Sequence, residues 1–466
     1  MTTPSASWLV IGGGMMGLQV ARDLCGRGQQ VTVAEAAPQF GGLTSAWRLG
    51  ETTWDRFYHV TLLSDTRLRS LLEVLELERE LRWVQTKTGF YSGGQLLSMS
   101  NTGEFLRFPI LNIVEKLRLG GTIFYASKIK NWRRMERLTV EKWLRRWSGS
   151  SVFQKIWLPL LKAKLGTAYT QTSAAFIWAH TARMYKARRS GMKVEMFGYV
   201  PGGYARILDR FVSYLKQRGV RLQADSGVRS ICKTDDGQLE VTFADGRTER
   251  FDNVVSTVAS PLISASCEQL TVDEHAKHRG IRYLGVVCGS LLLKKPISEY
   301  YVTNITDTWV PLTAVIEMSA VVSPQEELGG HHLVYLPKYL PDDYPGLQES
   351  EEDYKEKCLS TLQKMYSHFN RDDVVAFKVA RAKYVAALAT VDYSTRLPPV
   401  VTSVPGFYAL NSAHIVKSNL NVNDTILLGE EKIEQEVWPD FCRRAGSAAA
   451  RAEVASRAEQ LEPATV

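Results

Sequence analysis

The sequence predicts an α/β fold in which a parallel-sheet domain is interrupted by long inserted segments. Three observations predict it. Apolar residues 8–11 enter Gly12-x-Gly14-x-x-Gly17, and Leu18, Ala21 and Leu24 follow at helical spacing. A second apolar run, 31–34, ends in Glu35, about twenty residues past the turn. Buried-strand patterns return far downstream, at 251–261 and 405–414. The first two observations make a strand–turn–helix–strand unit of the Rossmann type. The third makes its domain discontinuous, with an inserted α+β substrate domain.

Each residue of the turn has a physical task. Gly12 permits the tight turn, Gly14 lets the backbone approach a pyrophosphate, and Gly17 lets helix and strand pack closely. Met16 lies in the first helical turn, where free N–H groups face an anion. Glu35 stands where an acid accepts a hydrogen bond from a ribose hydroxyl. The unit therefore predicts a bound dinucleotide. Next come Gly41 and Gly42, a second close backbone approach, then Leu43, Thr44 and Ser45 with two hydroxyls beside it.

Strand, GxGxxG, helix, strand-Glu and a following GG pair together resemble the flavin-dependent amine oxidase superfamily, in its protoporphyrinogen oxidase and carotenoid desaturase branch. The resemblance implies FAD, with Gly12–Gly17 at the ADP half and the GG segment along the diphosphate. That family usually carries Arg after the GG pair; Leu43 stands there instead, so one phosphate contact is lost or replaced. The stretch Thr53-Trp-Asp-Arg-Phe-Tyr58-His59-Val60 resembles the family's segment past the flavin ring. It makes Tyr58 a cofactor contact and His59 a catalytic candidate, with a structural, hydrogen-bonded histidine as the equal alternative.

Leucines at 68, 71, 72, 75 and 81 predict a helix over 64–81, and Gly93-Gly94 predicts a hairpin between 87–91 and 95–99. Residues 105–191 are helical, basic and rich in tryptophan, with Trp132, Trp143, Trp147, Trp157 and Trp178 among Arg and Lys. This suits a helical substrate domain with solvated charges. Around 123–147 it suits peripheral membrane contact equally.

Gly202-Gly203 precedes a helix over 207–218, and Val228 matches the valine whose backbone meets the adenine edge in the resembling family. Asp245-Gly246 turns a hairpin, and 251–261 returns to the first sheet. Residues 281–293 read as a strand of the substrate sheet. It lacks the lysine that amine oxidases place there against flavin N5, which argues against an amine as substrate. A helix is expected over 351–368. In the closing segment Asn411 stands for the family's Gly-Asp, and Asn423 and Asp424 precede a helix over 425–437. Their expected roles are flavin contact, plain N-capping, or both.

The resulting division places 1–95, 197–270 and 396–440 in the FAD domain and 96–196 and 271–395 in the substrate domain, with 441–466 a polar tail. A chain of 466 residues, 45% hydrophobic, can bury cores of this size. Its six cysteines are scattered without a CxxC pair, and its eight histidines lack ligand spacing, so reduced thiols and no metal are expected. No nucleic-acid module is visible. The first residues show no secretory pattern, so a cytoplasmic protein is expected, with membrane association open. The formal charge of +8 suits an anionic surface or simple solubility.

The function implied is hydride abstraction from a C–H bond of an apolar substrate, isoprenoid, lipid or tetrapyrrole-like, to flavin N5. The alternative is a non-redox flavin isomerase or mutase, for which Arg183, Arg188 and Arg189 would meet a diphosphate. A non-enzymatic, flavin-free or NAD-binding scaffold is a third reading, disfavoured by Gly41-Gly42 and the closing segment.

Overall fold

The structure is a computed structural model, described here for residues 5–186, 195–341 and 344–446. Arg188 and Arg189, and the tail from 447 onward, lie outside the described residues.

Ser7–Ile11 is the centre of a five-stranded parallel sheet, because its side chains meet apolar layers on both faces. The order is Arg221–Gln223, Gln30–Ala34, Ser7–Ile11, Asn253–Ser256, Phe407–Ala409. Ile11 pairs with Ala34 on one side and Ser256 on the other, and Ser256 pairs with Ala409. Three chain segments distant in sequence thus build one sheet. On one face lie the helices Met15–Gly26, Gly203–Gln217 and Val422–Lys432. There Trp8 stacks on Tyr408 at 5.8 Å. On the other face packs the antiparallel sheet Val228–Lys233, Leu239–Phe243, Thr248–Phe251.

The second body is a seven-stranded sheet. Tyr283–Leu293 is buried along its whole length. It runs between His332–Pro341 and Val374–Ala387, with the helix Glu351–Met365 on one face. The unbroken apolar run of this strand follows from burial on both faces. The expected hairpin forms as Thr88–Ser92 and Gln95–Ser98, and it joins this sheet through a parallel pair with Val302–Ile305. Sheet membership therefore passes to the second body within the hairpin that contains residue 95.

Between Thr102 and Lys186 the chain is helical, with its own core around Trp143, Leu144, Phe153 and Leu161. The tryptophans mostly belong to that core rather than to an outer surface. Trp143 is buried, and Trp178 Nε1 donates to Ile129 O at 3.1 Å. Two helices begin earlier than their apolar spacing suggests, at Gly203 and Val422. Gly203, at φ 63°, leads the first, and the Asn421 side chain caps the second by accepting from the Asp424 amide. The helix expected over 64–81 is shorter, Thr66–Val74, because Glu76 at φ 60° breaks it.

Candidate functional site

The glycine turn forms for the reasons its sequence implies. A Cβ on Gly17 would stand 1.8 Å from Gly12 O, so helix and strand touch only because that atom is missing. Gly12 has φ 100° and Gly41 φ 121°, backbone that favours glycine. The two glycine segments meet: Gly41 N donates to Gly13 O at 2.8 Å, and Gly14 bridges Gly41. The space over Gly14 is open, since a Cβ there would meet only Gly41 O at 4.0 Å. Met16 is buried at the start of the helix and packs toward Gly429 of the closing helix.

Glu35 is held beside this cradle. Its Oε2 accepts from Gly13 N at 2.6 Å and its Oε1 from Ala37 N at 2.8 Å. A carboxylate has about four lone-pair sites, so acceptor capacity remains for a sugar hydroxyl. Val228 opens the antiparallel sheet and packs against the cluster of Leu9, Ile11 and Ala34.

After Gly42 the chain makes a short 3-10 turn, Gly42–Thr44. Thr44 donates its hydroxyl to Gly41 O at 2.8 Å, so that proton is engaged within the protein. Leu43, Trp47 and Tyr58 pack against one apolar cluster that includes Leu49, Trp54 and Phe57. Arg56 approaches the same turn from the next strand. Its Nη1 lies 3.5 Å from Ser45 Oγ, and its buried Nε has no hydrogen-bond partner. A cation thus stands beside the GG segment although position 43 carries none.

His59 lies on the far side of this turn. Its Nδ1 is 3.0 Å from Phe57 O and its ring leans on Tyr204 at 5.0 Å. Burial lowers its pKa to about 4, so the ring is neutral at neutral pH, with Nδ1–H donating and Nε2 left as an acceptor. Asp55 beside it accepts from Tyr204 N at 2.9 Å, and burial raises its pKa to about 8.

The closing segment is tied largely to the protein. Asn411 donates to Val258 O at 2.9 Å and Ser260 Oγ at 3.1 Å, which locks the last strand's end to the preceding one. Asn423 Oδ1 accepts from the amides of Arg67 at 2.9 Å and Leu68 at 3.3 Å. It therefore caps the helix Thr66–Val74, a residue remote in sequence doing the work of an N-cap. Asp65, at the cap position itself, accepts instead from Leu62 N at 2.9 Å and from Arg183 Nη2 at 3.0 Å. Arg183 Nη1 also lies 3.8 Å from Asp424 Oδ2, so one arginine of the helical insert joins two acids of the first body.

A cavity of about 100 Å³ opens where the closing segment meets the second body. Its walls are mainly apolar, with Phe176, Leu284, Leu388, Ile415 and Leu420 among them. Lys164 is the one charged residue in the lining among the described residues, and its ammonium lies 4.9 Å from the Tyr339 ring. Burial lowers its pKa. Tyr339 OH is 3.0 Å from Tyr58 OH, and burial keeps both phenols protonated. Thr313 fixes the pair's geometry by donating to Ala163 O at 2.8 Å and accepting from Tyr339 N at 3.2 Å. His180, on the helix that carries Phe176, is held near pKa 4 by burial and by the charges of Lys164 and Arg183. Sequence spacing gave no sign of Arg56, Lys164, Tyr339 or the Asp65–Arg183–Asp424 cluster, since each is assembled across separate elements.

Over residues 15–414 the chain matches the model of the flavin containing amine oxidoreductase family. The chain belongs to this family. Its cofactor is FAD, and the residues fit it: the open space over Gly14 leaves room for a diphosphate, and the oriented Glu35 carboxylate keeps acceptor capacity for a ribose hydroxyl. A probable zeta-carotene desaturase of Synechococcus elongatus is 26% identical over 293 residues, which span 56% of this chain and 58% of that protein. Among solved structures, a "Putative protoporphyrinogen oxidase" from Exiguobacterium sp. 255-15 superposes with TM-score 0.73 at 17% identity, over 93% of this chain and 98% of that one. Reduced UDP-galactopyranose mutase gives 0.70 at 13% identity, over 95% and 98%. Putrescine oxidase gives 0.67 at 15% identity, over 96% and 100%. At these identities the structural likeness is one of fold.

Proposed function

We propose that this flavin-family oxidoreductase removes hydride from a C–H bond of an apolar substrate of isoprenoid, lipid or tetrapyrrole-like character. The observation that carries this reading is the cavity beside residues 412–420, whose walls are mostly apolar, with Lys164, Tyr339, Ser412, Ser418 and Asn419 as its polar lining. Bound FAD supplies a hydride acceptor at its N5 position.

The chain's own residues divide the rest. Gly14, Met16, Gly41 and Gly42 offer backbone to the diphosphate, Glu35 accepts from the ribose, and Val228 meets the adenine edge. Arg56 takes the place of the arginine that the family carries after the GG pair. The apolar wall exclude water and holds the substrate in one orientation. Tyr58 and Tyr339 hold their protons and form one polar edge; Lys164 forms the other and accepts a polar end of the substrate. Neutral His59 presents Nε2 as an acceptor beside the cofactor segment and positions it rather than moving a proton.

The desaturase-type reading draws support from the curated relative, and the apolar cavity favours it over a polyamine. The nucleotide-sugar isomerase reading rests on Arg183, Arg188 and Arg189 for a diphosphate; of these the Arg183 guanidinium is engaged by Asp65 and Asp424, and the other two lie outside the described residues.

Anaerobic mixing of the flavin-loaded protein with a polyene, a porphyrinogen and putrescine tests the proposal. Bleaching of the flavin absorbance by an apolar compound is expected, together with a dehydrogenated product. Bleaching by putrescine alone overturns the substrate class. Turnover to an isomer without net oxidation overturns the reaction.

A further inference from the structure

The helix Ile113–Lys128 exposes large apolar side chains that a fully solvated helix would bury. Its outward residues include Ile113 and Val114 at 61% exposure, Leu117 at 69% and Phe124 at 56%. Its buried face carries Glu115, Lys116 and Thr122 along with Leu119 and Ala126. Those polar groups are satisfied inside the protein. Glu115 accepts from Lys155 Nζ at 2.8 Å and from Asn112 N at 2.8 Å, and it also binds Ser151 Oγ. Lys116 Nζ donates to Leu106 O at 2.7 Å, and Thr122 Oγ1 to Arg118 O at 2.8 Å. The polar groups on the inner face are therefore paired, which leaves the exposed apolar side chains as the helix's unpartnered feature.

The apolar face extends beyond the helix. Leu106 beside its first turn is 53% exposed, and Tyr125 stacks on Trp147 at 4.2 Å. Large apolar side chains gathered in one exposed patch mark an interaction surface. The charge around it selects the partner. Residues 105–147 hold eleven Lys and Arg against three acids, an excess equal to the chain's whole formal charge of +8. Two of those acids, Glu115 and Glu136, are buried. Arg107, Arg118, Lys128, Lys130, Arg133 and Arg134 are exposed around the patch. Lys128 lies over the Phe124 ring at 5.3 Å and Arg133 over Trp132 at 4.9 Å. Apolar centre and cationic rim match the acyl boundary and the head groups of an acidic bilayer.

We propose that this face, centred on Leu117 and Phe124, docks the protein on an anionic lipid bilayer. The helix Ala174–Lys186 connects the docked layer to the cavity: its Trp178 donates to Ile129 O next to the docking helix, and its Ala175 and Phe176 line the cavity. Docking holds or fails independently of the redox reading.

The test is co-sedimentation of the flavin-loaded protein with vesicles of phosphatidylcholine alone or mixed with phosphatidylglycerol. Pelleting is expected with the mixed vesicles at low salt, less at high salt, and little with phosphatidylcholine. The Leu117→Ser/Phe124→Ser variant should bind at least about tenfold more weakly. Arg133→Glu/Arg134→Glu should lose about fivefold per cation removed. Flavin content and melting temperature should match the parent in both. No pelleting with mixed vesicles at low salt overturns the proposal, as does pelleting that the Ser variant leaves unchanged. Sedimentation velocity showing a dimer that the Ser variant dissociates also overturns it, assigning the face to a second copy of the chain.

Discussion

Glu35 Oε2 accepts a hydrogen bond from the Gly13 amide at 2.6 Å, so the acid at the end of the second strand helps shape the turn that follows the first. Glu35→Gln removes the charge while keeping the shape. A hydrogen bond to a charged group contributes about 1.5–3 kcal/mol, so FAD affinity should fall about tenfold to a hundredfold. Titration of the apoprotein with FAD, followed by flavin fluorescence, measures it.

Arg56 has a buried Nε without a protein partner next to the GG segment. Arg56→Ala should weaken FAD binding by about 2 kcal/mol, with Arg56→Lys intermediate. Equal FAD affinity in parent and Ala variant would show that the guanidinium faces something other than the diphosphate.

Gly17 has no room for a methyl group against Gly12 O. Gly17→Ala should destabilise the fold by at least about 3 kcal/mol, the upper end of overpacking. Thermal unfolding reads this even without cofactor.

Asp55 is buried and its folded pKa is raised to about 8 by desolvation. The folded state therefore holds a proton that the unfolded state releases from about pH 4 upward, and stability falls as pH rises through the window from about 4 to 8. Asp55→Asn mimics the protonated acid and removes this dependence. Melting temperatures of parent and variant should be close near about pH 5 and should separate in favour of the variant near about pH 9.

Arg183 compensates two acids, and Asp65 is nearly buried. Arg183→Ala should cost about 3 kcal/mol, because a carboxylate is left unpaired. Adding Asp65→Asn should restore part of the loss, and a double-mutant cycle in denaturant measures the coupling.

The sheet that holds the cofactor segment was readable because its signals are local. Glycines at Gly12, Gly14 and Gly17 are required by backbone geometry within a few residues, and Glu35 sits at a fixed distance from them. The returns at 253–256 and 407–409 were readable as buried runs. Asn423 was not readable in its observed place, because it caps a helix whose cap position is filled by Asp65. Pairing between elements remote in sequence leaves no periodic trace. Arg56 and Lys164 escaped for the same reason: one reaches Ser45 from beyond the following strand pair, and the other reaches the cavity from a helix whose charges looked solvated. Within the basic insert, spacing showed that helices form but not which face turns outward. The tryptophans suggested an outer surface and proved mostly internal, while the exposed apolar face belongs to Ile113–Lys128.

The central strand has a consequence for biosynthesis. Ser7 bonds to Asp252, a separation of 245 residues. On a ribosome adding about 5–20 residues per second, that partner emerges on the order of 10–50 s after the first strand. During this interval one edge of Ser7–Ile11 has its amides and carbonyls unmatched, next to a strongly apolar sequence. Until its middle third is made, the nascent chain therefore carries a strand edge open to pairing with other chains. Truncated products ending before residue 253 should aggregate, whereas the full chain refolds slowly, as its distant pairings require.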